Sequence, residues 1–133
     1  EIMVVTGVQT CALPISGTNH ALSFIGSTKS CLLGIDNNDQ AYIGNVDSNN
    51  NINKIYLGKL KGKWQSLPLE KPISKAHLFV TASGKVYIND TIKGTVTELK
   101  TKKKTTYKGT FLQLYSDGIA SLSDGNLVKT SLN

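Results

Sequence analysis

Few side chains in this 133-residue chain have the type and spacing that chemistry requires, and each has a competing structural use. Trp64 is the only tryptophan and the one candidate ligand-binding residue. Its flat face suits stacking on the C–H groups of a sugar ring while neighbouring amides bond the hydroxyls. The same indole is equally suited to filling space inside a sheet protein. Two runs, Asp36-Asn37-Asn38-Asp39-Gln40 and Asp47-Ser48-Asn49-Asn50-Asn51, echo the oxygen spacing of calcium loops. Such loops want glycine at the sixth position and a bidentate acid at the twelfth. Counting from Asp36 gives Ala41 and Asp47, and counting from Asp47 gives Ile52 and Gly58, so both runs fail at the glycine. Turns account for them better, because Asn and Asp tolerate left-handed geometry and bond their own backbone. Neither a metal nor any other cofactor is expected.

Residues 1–16 stand apart. The run from Val5 to Ile15 reads as the in-frame translation of a common sequencing adapter, and Ser16 completes its last base. A truncated secretory signal would explain the apolar residues 2–5 and 12–15, but a signal opens on positive charge and this segment has Glu1 and no lysine. With the segment set aside, the natural N-terminus is missing, localisation is open and Cys11 leaves the count. Cys31, in the apolar stretch Ser30-Cys31-Leu32-Leu33, is then expected as a free, buried, inert thiol. A reactive thiolate would need a cationic or histidine neighbour, and His20 and His77 are remote in sequence.

The chain carries 15 basic and 9 acidic residues, a net charge of +6. Every basic residue is lysine. Base-reading proteins lean on the planar arginine fork, so sequence-specific nucleic-acid binding is not expected. The densest charge is Lys100, Lys102, Lys103, Lys104 and Lys108, interleaved with threonine. That pattern suits a solvated hairpin tip, where lysine also blocks unwanted strand pairing; contact with a polyanion is the other use. Asn89-Asp90-Thr91 matches the glycosylation acceptor pattern, read here as incidental. Nucleophile elbow, phosphate-cradling glycine loop and metal-spaced His or Cys sets do not occur in the sequence. Paired acids of the glycosidase kind cannot be picked out without a fold. No stretch has the apolar length of a membrane-spanning helix.

Turn residues recur every eight to twelve positions, the spacing of short strands, and Pro68 and Pro72 interrupt the one helix-like segment. Three stretches share one plan of strand, polar turn and strand. The first is Cys31 to Ile35 followed by Gln40-Ala41-Tyr42-Ile43; the second is Ala76 to Val80 followed by Lys85-Val86-Tyr87-Ile88. A weaker third runs from Gly118 to Leu122 and resumes at Asn126-Leu127-Val128. Tyr42 and Tyr87 are 45 residues apart, and Tyr87 and Val128 are 41 apart. A period of this length predicts an array of small antiparallel sheets.

Phe24-Ile25-Gly26-Ser27, Leu33-Gly34-Ile35-Asp36, Gln40-Ala41-Tyr42 and Trp64-Gln65-Ser66-Leu67-Pro68 together resemble a tectonin-type β-propeller repeat. The second copy lacks the paired glycine and the closing tryptophan, and the third stops with the chain. The resemblance implies an all-β, antiparallel fold of two to three blade-like four-stranded units of a partial β-propeller. The units would span about 21–67, 73–109 and 110–133 within a repeat domain of residues 17–133. A small self-contained β-sandwich or barrel is the alternative. The function expected is a non-catalytic binding or scaffold module with a glycan or protein partner. The alternatives are part of a propeller-type glycan-processing enzyme whose catalytic residues lie upstream, or a viral or phage structural protein. The sequence does not fix the oligomeric state.

Overall fold

The computed structural model describes residues 3–6, 8–10, 18–21, 29–59 and 62–132. Among these residues the chain is all-β, with a single 3₁₀ turn at Lys75–His77 as its only helical element. It divides into two compact units, Glu1–Ala76 and His77–Asn133.

In the first unit, β1 (Met3–Thr6) and β3 (Thr18–Ala21) pair in parallel, and β2 (Val8–Thr10) adds in parallel to β4 (Ser30–Ile35). From there β4, β5 (Ala41–Val46), β6 (Asn51–Gly58) and β7 (Trp64–Ser74) form an antiparallel meander. β7 runs through both prolines that argued against a helix, and it does so at a sheet edge, where a missing N–H costs no ladder bond. The Phe24-Ile25-Gly26-Ser27 part of the repeat signature lies outside the described residues.

The second unit holds two sheets. β8 (Leu78–Val80), β9 (Val86–Asp90), β10 (Thr95–Glu98) and β11 (Lys104–Thr106) form an antiparallel sheet in chain order. β12 (Thr110–Leu114), β13 (Gly118–Ser123) and β14 (Asn126–Ser131) form a three-stranded one. These are the blade-like antiparallel sheets expected, and each sheet is open, so the barrel alternative falls away.

One turn closure recurs in three of the hairpins. In the β4–β5 turn, Asp39 N–H donates to Asp36 O (3.1 Å), Asp36 N–H donates to Gln40 O (3.0 Å), and Asp39 is left-handed at φ 60°. The β8–β9 turn has the same closure: Gly84 N–H to Thr81 O (3.0 Å), Thr81 N–H to Lys85 O (2.9 Å), Gly84 at φ 88°. The β5–β6 turn repeats it from Asp47 to Asn51, with Asn50 at φ 62°. In each, the first residue's side-chain oxygen accepts the N–H of the fifth: Gln40 to Asp36 (3.1 Å), Lys85 to Thr81 (3.2 Å), Asn51 to Asp47 (3.0 Å). This is the three-residue hairpin loop with a left-handed third position.

Two residues beyond the closure stand Tyr42 and Tyr87. Both are buried (3% and 5% exposed), and both lie on the second strand of a four-stranded antiparallel meander. The third copy keeps the hairpin but changes the turn. Asp124 and Gly125 are both left-handed (φ 52° and 78°), the two-residue type that Asp-Gly favours. Val128 there lies half-buried on the edge strand β14, not on an inner strand.

Each unit has its own core. In the first, Ile43 (1% exposed) is covered by Leu32, Tyr56 and Trp64. In the second, Tyr87, Val96, Tyr107 and Ile119 form the centre, with Phe111, Leu114 and Leu132 packed around them. Phe111 joins the two sheets of that unit, its ring 5.2 Å from Phe79 and 5.7 Å from Tyr107.

Candidate functional site

Trp64 opens β7 and pairs in register with Gly58 at the end of β6. The indole lies directly on that glycine: a Cβ at Gly58 would come within 2.7 Å of Trp64 Cδ2. The register Leu32↔Ile43↔Tyr56 puts three side chains in one row, and Trp64 joins them over Ile43. Trp64, Tyr56 and Leu32 are each only partly buried, so this is a core contact that keeps an aromatic surface. Lys54 Nζ lies 5.8 Å from the centroid of the Tyr56 ring, within cation–π reach. On the same two strands Asn45 Nδ2 donates to Asn53 Oδ1 (3.0 Å) in an exposed amide pair. Trp64 is therefore a core residue with part of its indole left open. Sequence reasoning missed Tyr56, Lys54 and the amide pair, although the alternation in β6 was the signal that could have found them.

The Asp-Asn runs are turn formers. Asp36 Oδ1 accepts the N–H groups of Asn38 (2.8 Å) and Gln40 (3.1 Å), and Tyr42 Oη donates to Asp36 Oδ2 (2.9 Å). Burial pushes the Asp36 carboxyl up, but the three donors from Gln40, Tyr42 and Asn38 outweigh it and hold the group below its ordinary 3.8. Burial and then the bond and charge of Asp36 push Tyr42 up to about 12. Asp47 Oδ1 accepts from Asn49 (2.8 Å) and Asn51 (3.0 Å). Among the described residues, no three acids, histidines or cysteines come together as a metal would require.

Asn89 of the acceptor pattern is buried (4% exposed), and its Oδ1 accepts the Tyr107 hydroxyl at 2.8 Å. Its amide therefore braces the second core and does not face solvent. Burial raises the Tyr107 pKa, the bond to Asn89 works against that, and the charge of Asp90 adds to the rise.

All five clustered lysines are exposed, on and beside the β10–β11 hairpin. Lys102 takes the left-handed position of that turn at φ 63°, and its N–H donates to Glu98 O (2.9 Å). Lys85 lies 4.0 Å from Glu98. A recess lined by Lys85, Tyr87, Glu98, Lys103, Thr105 and Leu132 has room for no more than a water-sized group.

The free-thiol expectation for Cys31 is corrected. Cys31 is buried, at 2% exposed, but in a disulfide, and none of the described cysteines is free. Its pairing was hidden because the chain's one other cysteine, Cys11, belongs to the segment set aside and lies outside the described residues. A disulfide sulfur has no thiolate to offer, so no nucleophile arises at Cys31. His77 Nδ1 and Ser121 Oγ are buried without a partner among the described residues. No helix among the described residues is long and apolar enough to cross a membrane.

Compared with known protein families, with curated proteins and with solved structures, the chain matches none of them.

Proposed function

We propose that residues 17–133 are blade-like units of a β-propeller-type repeat and act as a non-catalytic binding or scaffold module, with a glycan or protein as partner. The observation that carries this reading is the recurrence of one hairpin. Thr81–Lys85 and Tyr87 repeat the turn geometry, burial and strand position of Asp36–Gln40 and Tyr42. A chain that spends its sequence on repeating a rigid sheet carries its specificity in what the sheets present. On the first sheet that is the partly open Trp64–Tyr56 surface, bordered by the Lys54 ammonium and the Asn45–Asn53 amides. Flat aromatic faces beside amide donors suit a sugar ring, whose C–H groups stack while its hydroxyls are bonded.

A glycan array tests the reading. The chain should retain a neutral sugar on the array, Trp64→Ala should lose it, and Trp64→Phe should keep part of it. Retention of no sugar at all, or binding indifferent to Trp64→Ala, would remove the glycan from the proposal.

A further inference from the structure

The six residues from Leu99 to Lys104, which turn the chain from β10 into β11, hold four lysines and no acid. Lysine on an edge strand blocks stray pairing, and that use accounts for Lys104, the first residue of β11. It does not account for Lys100, Lys102 and Lys103, which precede the strand. Nor does it account for Lys85, which leads into the inner strand β9. The fold brings that residue to the same end of the sheet, where Leu99 N–H donates to Val86 O at 2.8 Å. Lys108, by contrast, follows Tyr107, whose N–H donates to Gly94 O (3.0 Å) at the opposite end of β10.

The charge gathered there is not neutralised. Glu98, the last residue of β10, is drawn inward with 13% of its side chain exposed, and it lies 4.0 Å from Lys85. Lys100, Lys103 and Lys104 are exposed and form no ion pair among the described residues. Like charges held this close repel one another, a cost to the folded chain that an anion bound across them removes. Lys102 adds to that cost. At φ 63° it takes the left-handed conformation that Asp39, Asn50 and Gly84 supply in other turns, residue types that adopt it more readily.

We propose that this hairpin end is an anion-binding surface and that its occupant is a linear acidic polysaccharide, carboxylated or sulfated. The recess beside Lys85 and Lys103 admits no more than a water-sized group. A ligand therefore meets the lysines across the surface and must carry several charges to engage them together. The hairpin exposes no ring and no large apolar side chain, since Val96 and Leu99 are buried. Bases find nothing to stack on, and a bilayer finds nothing to insert. Thr101 and Thr106 are exposed among the lysines, with hydroxyls that donate as well as accept. A polysaccharide offers hydroxyls between its charges to meet them. The same hydroxyls can donate to the Glu98 carboxylate, which repels a phosphate backbone charged at every step.

Binding of the full 133-residue chain to polygalacturonate and to dextran sulfate, followed as salt is raised, tests this. The chain should bind at least one of them, more weakly at higher salt, and the one retained assigns the acid group. Lys100→Gln with Lys103→Gln should weaken binding at least about tenfold and flatten its salt dependence. Lys71→Gln with Lys75→Gln, which removes the same charge from exposed positions of the other unit, should leave the affinity within about twofold. Trp64→Ala should leave it unchanged, so that this surface and the glycan proposed at Trp64 stand or fall separately. Binding to neither polymer, double variants that bind alike, or tighter binding to duplex DNA of matched charge overturns the proposal.

Discussion

Asp36 shows how much one carboxylate organises here. It closes a turn with two backbone N–H groups and receives the hydroxyl of the repeat's own tyrosine at 2.9 Å. Because its pKa is lowered in the folded chain, it contributes stability above its ordinary 3.8 that is lost as pH falls through and below that value. Tyr42 acts at the other end of the scale. Its folded pKa of about 12 stands above the ordinary 10.0, so its contribution is complete below pH 10 and lost as pH rises toward 12. Thermal melts from pH 7 to pH 3 should show a falling midpoint in the wild type and a flatter profile in Asp36→Asn. Burial also holds Tyr87 and Tyr107 above the ordinary 10.0, so an ultraviolet titration should show several late phenolates, of which Tyr42→Phe removes one. A wild-type midpoint that falls no faster than that of Asp36→Asn would contradict this account of the acid limb.

The turns carry the argument at the scale of the element. Three hairpins share one closure, yet the residue at the left-handed position is Asp39, Asn50 and Gly84 in turn. Only glycine takes that conformation without Cβ strain, which costs other residues roughly 1–2 kcal/mol and Asn or Asp somewhat less. Asp39→Gly and Asn50→Gly should therefore each raise the denaturant midpoint modestly, and Gly84→Ala should destabilise by about 1 kcal/mol. Equal midpoints for Asp39→Gly and the wild type would mean that Asp39 is not strained. These turns were legible in the sequence because their chemistry is local: Asp36-Asn37-Asn38-Asp39 announces itself with no knowledge of the rest of the chain. Strand partners are not local, and there the reading ran out. Nothing adjacent to Asn89 reveals that the Tyr107 hydroxyl, eighteen positions on, will bury its amide. The edge position of Val128 was hidden for the same reason.

At the scale of the whole molecule, the two units differ in how their cores are joined. The second depends on an aromatic bridge between its sheets, with Phe111 touching both Phe79 and Tyr107. Truncating a ring in such a position costs about 3 kcal/mol or more through lost burial and the cavity left behind. Phe111→Ala should therefore loosen residues 77–133, seen as lost near-ultraviolet dichroism and faster amide exchange in β9 and β10. An unchanged exchange pattern would place the weight of that unit elsewhere. The lone indole of Trp64 lies wholly in the other unit, pressed onto Gly58. The molecule thus comes with a built-in optical label: fluorescence excited at the red edge reports residues 1–76 and is blind to the remainder. Tyrosine absorbance samples both units, through Tyr42 and Tyr56 in the first and Tyr87, Tyr107 and Tyr115 in the second, so a tyrosine transition that the indole does not share belongs to the second. Whether the halves melt together or in succession can be read from one unlabelled sample.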